Sequence, residues 1–116
     1  MADSDFKDEH HATREQAISA MRVVHTIVEP LGYYASLYGG SLVKPKGGHD
    51  VDLHVMGLGK ELELKRPDDV SLILVNKLAR SLRLFDLYEV DGVMDAYVAF
   101  VLINGIYLDV HVKGSA

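Results

Sequence analysis

The stretch Asp50-Val51-Asp52-Leu53-His54-Val55 alternates strictly, with Val51, Leu53 and Val55 on one side and Asp50, Asp52 and His54 on the other. Alternation with period two marks a half-buried β-strand, because successive side chains point to opposite faces of a sheet. The polar face is the anomaly, since aspartate is depleted in strands, its short carboxylate preferring to bond nearby backbone in turns. A second stretch, Ile106-Tyr107-Leu108-Asp109-Val110-His111-Val112, has the same form. Ile106, Leu108, Val110 and Val112 make its apolar face, and Tyr107, Asp109 and His111 its polar face. Both stretches carry Asp-x-His at corresponding positions.

Side by side in one sheet, strands lie about 4.8 Å apart. Such neighbours would bring the carboxylates of Asp50, Asp52 and Asp109 within reach of one or two small ions. Clustered carboxylates either take up protons or are neutralised by cations, and a hard ion such as magnesium prefers oxygen ligands. On spacing alone, the competing reading is three solvated residues on an open sheet face. His54 and His111 share the polar face, either as outer ligands and proton carriers or as hydrogen-bonded strand histidines.

Upstream, Gly39-Gly40-Ser41 offers backbone amides and a hydroxyl beside the first strand, which suits either an anion cradle or a tight turn. Lys44 and Lys46 follow in the same loop, able to steady a phosphate or simply solvated. Tyr33, Tyr34 and Tyr38 precede it, as rings that stack on a base or as core rings with a solvated hydroxyl.

The remaining segments supply the frame. Residues 1–11 are polar and without periodicity, which predicts a flexible N-terminal tail ahead of a single domain over 12–116. Thr13 and Gln16 have capping-box spacing, and Ala17, Met21, Val24 and Val28 then recur at helical intervals up to Pro30. Tyr34 to Tyr38 is a strand candidate, whereas 57–66 fits either a short strand or a loop. From Pro67 onward Val70, Leu74, Leu78 and Leu82 repeat every four residues, predicting a second amphipathic helix to about Arg83. Strands are expected over Leu87–Val90, Ala96–Ile103 and Ile106–Val112, the last two joined by Asn104-Gly105, a strong hairpin signal. The fold class is α+β, two helices covering a mixed sheet.

Composition removes several classes. The 116 residues are 48% hydrophobic and 25% charged, enough for a real core. There is no cysteine, so neither disulfides nor thiolate metal sites are available. The longest apolar run, Ala96 to Ile103, is far short of the roughly 20 residues of a membrane span, so a cytoplasmic protein with no membrane partner is expected. Twelve Lys plus Arg against seventeen Asp plus Glu give a net charge of -5, which does not favour a nucleic-acid partner gripped through phosphates.

Taken together, Gly40-Ser41, Asp50-Val51-Asp52 within GGHDVDLHV, and Asp109 within GIYLDVHV resemble the motif of the nucleotidyltransferase superfamily, the polymerase beta-like palm above all. The likeness runs from about residue 12 to the end of the sequence. It implies a palm-type mixed β-sheet with two main helices packed on it. It also implies that Asp50 and Asp52 ligate a nucleotide-binding and a catalytic metal, magnesium or manganese, while Asp109 completes the catalytic one. Gly39, Gly40 and Ser41, with Lys44 and Lys46, would hold the triphosphate of a nucleoside triphosphate. An acceptor hydroxyl would then attack the α-phosphorus and release pyrophosphate, a reaction that needs charge neutralisation more than covalent help. With four residues after Val112, the acceptor site is expected from a homo-oligomer or a partner chain. The alternative is a non-catalytic binding module of the same fold, a regulatory or antitoxin-like partner protein. A plain ferredoxin-like interaction domain, its aspartates coincidental, is the third reading.

Overall fold

The computed structural model describes residues 12–38, 51–58, 66–90, 93–102 and 105–114. Helix α1 (Arg14–Val28) begins at the expected capping box. The Thr13 hydroxyl accepts from Gln16 N–H at 3.1 Å and the Gln16 side chain accepts from Thr13 N–H at 2.9 Å. Ala17, Ala20, Val24 and Val28 are its buried stripe, and Pro30 turns its end into a single 3-10 turn, Glu29–Leu31. Gly32 follows with φ 89°, a left-handed conformation that costs glycine little. The chain then enters β1 (Tyr33–Tyr38), one residue earlier than expected. His25 fastens α1 to this strand: Nδ1 accepts from Ala35 N–H at 3.2 Å while Nε2 meets Glu29 Oε2 at 2.9 Å.

Strand β2 (Val51–Gly57) carries the predicted alternation, its burial pattern switching residue by residue. Helix α2 (Pro67–Leu78) starts on proline with Asp68 and Asp69 in its first turn, where carboxylates favour the positive end of the helix dipole. It stops at Leu78, not at Arg83. Ala79 is already extended, and β3 (Ala79–Val90) takes up Arg80, Leu82 and Arg83 together with the expected Leu87–Val90. Leu82 therefore sits opposite Phe100 in a strand pair instead of continuing the helical stripe. Strands β4 (Val93–Leu102) and β5 (Tyr107–Lys113) form the predicted hairpin. Gly105 is left-handed at φ 89° and donates its N–H to Leu102 O at 2.9 Å. Asn104 and most of the ambiguous segment 57–66 lie outside the described residues.

The five strands make one sheet in the order β1-β2-β5-β4-β3. Only β2 and β5 run parallel; the other three pairs are antiparallel. Both helices lie on one face. Val24 and Val28 of α1 and Val70 and Leu74 of α2 join one core with Val51, Leu53 and Val55 of β2, Leu108, Val110 and Val112 of β5, and Ala96, Val98 and Phe100 of β4. Burying each such Leu, Val or Phe contributes about 1.5–3 kcal/mol, which is what holds register in the central strands. Tyr33 is fully buried on this side, and its hydroxyl is pushed up to about 12, chiefly by burial and then by the charges of Asp68, Asp69 and Asp95. The fold is α+β with a mixed sheet and two helices. Among the described residues no helix is long and apolar enough to cross a membrane.

Candidate active site

The helix-covered face leaves the opposite face to the other half of each alternation. Tyr97, Ala99 and Val101 of β4 and Tyr107 of β5 cluster there. The same period brings Asp52 and His54 of β2, and Asp109 and His111 of β5, onto this face. Parallel pairing sets Asp52 directly beside Asp109 and His54 directly beside His111. One aspartate of each stretch, Asp52 and Asp109, is therefore brought to the middle of the sheet, on adjacent strands. Asp50, Gly39, Gly40, Ser41, Lys44 and Lys46 lie outside the described residues. Among the described residues, no group of three or more His, Cys, Asp or Glu side chains is arranged to hold a metal ion.

Asp109 is 7% exposed, deep for a carboxylate. Its Oδ1 accepts a 2.6 Å hydrogen bond from the Tyr97 hydroxyl, the short distance of a charge-assisted bond. Tyr97 stands out because residues 96–103 read as a plain apolar strand in the sequence. The signal was nevertheless present, since the hairpin lays β4 against β5 and the pleat then puts Tyr97 beside His111.

Rings extend the row across the whole sheet. Tyr38 stacks on His54 with centroids 4.0 Å apart and 17° between planes. His54 lies 5.6 Å from His111 at a tilt of 56°. His111 stacks on Tyr97 at 4.7 Å and 24°, and its Nδ1 is 3.3 Å from the Tyr88 hydroxyl. Every strand thus contributes a ring to one line beside the carboxylates. Both histidines titrate below their ordinary value of 6.5. For His54 the causes are burial, then Lys113, then His111; for His111 they are burial and Lys113, partly opposed by Asp95. They are neutral rings at neutral pH, and His111 lies within hydrogen-bond distance of the Tyr88 hydroxyl. Burial, with Asp95 and Asp86 nearby, also raises the Tyr88 phenol. Of the three early tyrosines, Tyr33 is core, Tyr34 donates to Met56 Sδ at 3.4 Å, and Tyr38 remains 56% exposed at the end of the ring row.

A helix-backed mixed sheet with a carboxylate pair on its central parallel strands defines a class. Solved structures carry the same arrangement of elements. The chain is similar to a polymerase beta of Leishmania infantum in its ternary P/T complex, with TM-score 0.58, 11% identity, and coverage of 96% of this chain and 45% of that one. The ternary gap complex of the same polymerase gives TM-score 0.59 and 11% identity, over 96% and 40%. A GLD-2/RNP-8 complex matches with TM-score 0.51 and 18% identity, over 95% and 44%. The protein has a polymerase beta-like nucleotidyltransferase fold. It spans less than half the length of each of these chains. No protein-family model matches the sequence, and no curated protein matches it.

Proposed function

We propose that the protein is a metal-dependent nucleotidyltransferase, transferring a nucleoside monophosphate from a nucleoside triphosphate to an acceptor hydroxyl. The observation that carries the reading is the lateral pairing of Asp52 with Asp109 on the face of a polymerase beta-like sheet opposite its helices. Two adjacent carboxylates on a strand pair gain nothing structurally from one another, and a cation is the natural way to relieve their repulsion. The donor set fits a hard divalent ion, because aspartate oxygens are its only proposed ligands. Asp50, Asp52 and Asp109 would hold magnesium or manganese, which when bound supplies charge neutralisation for the triphosphate.

The chain's own groups do the rest. Tyr97 fixes the rotamer of Asp109 through its 2.6 Å hydrogen bond. Gly39, Gly40 and Ser41 would cradle the phosphates by their amides, with Lys44 and Lys46 offsetting the remaining charge. The acceptor group would be presented by a second copy or a partner chain, in the cytoplasm. Calorimetric titration with several nucleoside triphosphates, with and without magnesium, tests the reading. Binding should require the metal and weaken at least tenfold in Asp52→Asn. Nucleotide binding that ignores magnesium, or none at all, refutes it; binding without turnover for any acceptor favours the non-catalytic module of the same fold.

A further inference from the structure

Strand β3 is the outer strand of the sheet, so among the described residues one side of its backbone has no strand neighbour. Over twelve residues it presents an unusual amount of apolar side chain: Leu82, Leu84, Phe85 and Leu87 are each between 36% and 50% exposed. Long apolar edges invite pairing with another strand, and stable proteins usually blunt them. The pairing of β3 with β4 tells which side chains share a face. Leu82, Phe85 and Leu87 oppose Phe100, Val98 and Ala96 and so lie on the helix side. Ser81, Leu84 and Asp86 oppose Val101, Ala99 and Tyr97 and so lie on the carboxylate side. Arg80 and Arg83 fall in the two register shifts, between Ala79 and Ser81 and between Leu82 and Leu84.

The charges along this edge are ordered. Arg80 and Arg83 occupy its first half, Asp86 and Glu89 its second, with Leu84 and Phe85 between them. An antiparallel copy of the same strand, turned about a two-fold axis at Phe85, meets this pattern with its complement. Phe85 then faces its own symmetry mate, Leu84 faces Asp86, Leu82 faces Leu87, and Ser81 faces Tyr88. Every such pair shares a face, as cross-strand neighbours must. The bulged Arg83 falls beside the mate's Asp86, and Arg80 beside the mate's Glu89. A parallel copy would instead set Arg80 and Arg83 against themselves.

We infer that β3 is a homodimer interface, joining two copies edge to edge into a ten-stranded sheet with an apolar seam of Leu82, Phe85 and Leu87 on the helix side. The charge order selects a second copy as the occupant, since the edge is complementary to itself only when antiparallel. Such a dimer lies at the opposite end of the strand order from β1, and its seam does not include Asp52 or Asp109 of either copy. It depends on no catalytic activity.

Sedimentation of the full chain tests this with two charge variants, Arg80→Glu/Arg83→Glu and Asp86→Lys/Glu89→Lys. The unchanged protein should be a dimer at micromolar concentration. Each variant alone should self-associate at least tenfold more weakly, because its edge becomes all acidic or all basic, and an equimolar mixture should restore a dimer containing one of each. A monomeric unchanged protein, variants that dimerise undiminished, or a mixture that stays monomeric would each overturn the proposal. Covalent trapping provides a readout that survives poor folding of those variants. The sequence has no cysteine, so Phe85→Cys introduces one thiol at the two-fold axis, where directly opposed strand residues come close enough to link. Mild oxidation should give a disulfide-linked dimer in high yield, whereas Val23→Cys, exposed on α1, should not. Equal yields from both would also overturn it.

Discussion

Replacing Tyr97 by Phe deletes one oxygen and keeps the ring that stacks on His111 at 4.7 Å. The packing is preserved, so the change reads out the hydrogen bond to Asp109. That bond is 2.6 Å long and ends on a carboxylate only 7% exposed, where water cannot easily take the place of the phenol. Hydrogen bonds to charged groups contribute about 1.5–3 kcal/mol. A loss of about 2 kcal/mol is expected for Tyr97→Phe, and for a domain of this size each kcal/mol moves the melting temperature by roughly 4 °C. The melting temperature should therefore fall by about 8 °C at neutral pH. Urea unfolding should show the midpoint shifted with the denaturant slope unchanged, the sign of a change in stability alone. The decisive arm is a double-mutant cycle with Asp109→Ala. In that background the acceptor is gone, and removing the hydroxyl should cost little, giving a coupling of at least ~1 kcal/mol. A single-variant loss below about 0.5 kcal/mol, or the same loss in both backgrounds, would refute the assignment of Tyr97 as the group that holds Asp109.

The histidines predict a pH dependence. His54 and His111 are held below 6.5 by burial first and Lys113 second, so the folded state binds fewer protons than the unfolded chain. Their contribution to stability is complete above about 6.5 and is lost as pH falls through their lowered folded values, at up to ~1.4 kcal/mol per pH unit for each proton. Urea midpoints between pH 7.5 and 5 should fall more steeply in the unchanged protein than in His54→Gln/His111→Gln, and equal slopes would exclude the pair as the source. Lys113→Gln should flatten the same profile in part, since it removes a positive charge that both rings feel; an unaltered profile would discount that charge. Thr13→Ala breaks the reciprocal cap of α1 and should cost about 1 kcal/mol, measured by urea unfolding, with a loss under ~0.3 counting against the capping box.

Much of the sheet was legible because β2 and β5 turn apolar side chains to the helices and polar ones to the opposite face, a contrast that writes itself into sequence as alternation. Their matching Asp-x-His patterns even indicated the register that sets Asp52 beside Asp109. The second helix was legible only to Leu78. Beyond it β3 is an edge strand, exposed on both faces for most of its length, so no burial enforces a period of two. The bulge at Arg80 sets Leu82 four residues after Leu78, the last residue of the helix, so the helical spacing runs on into the strand. Tyr97 stayed hidden for the opposite reason: β4 is buried on both faces, and a continuous apolar run conceals which residues share the carboxylate side.

The place of β5 in the strand order governs how the protein can be made. In sequence it comes after β1 to β4, yet in space it sits between β2 and β4. Until it arrives, a chain leaving the ribosome holds two antiparallel pieces, β1 with β2 and β3 with β4, with no strand pairing between them among the described residues. Insertion of β5 closes the sheet and in the same event creates the Asp52–Asp109 pair, from residues about half the chain apart. Such non-local closure is slow compared with hairpin formation and leaves strand edges open meanwhile. A chain that lacks β5 cannot display the carboxylate pair, so the pair exists only once that strand is in place.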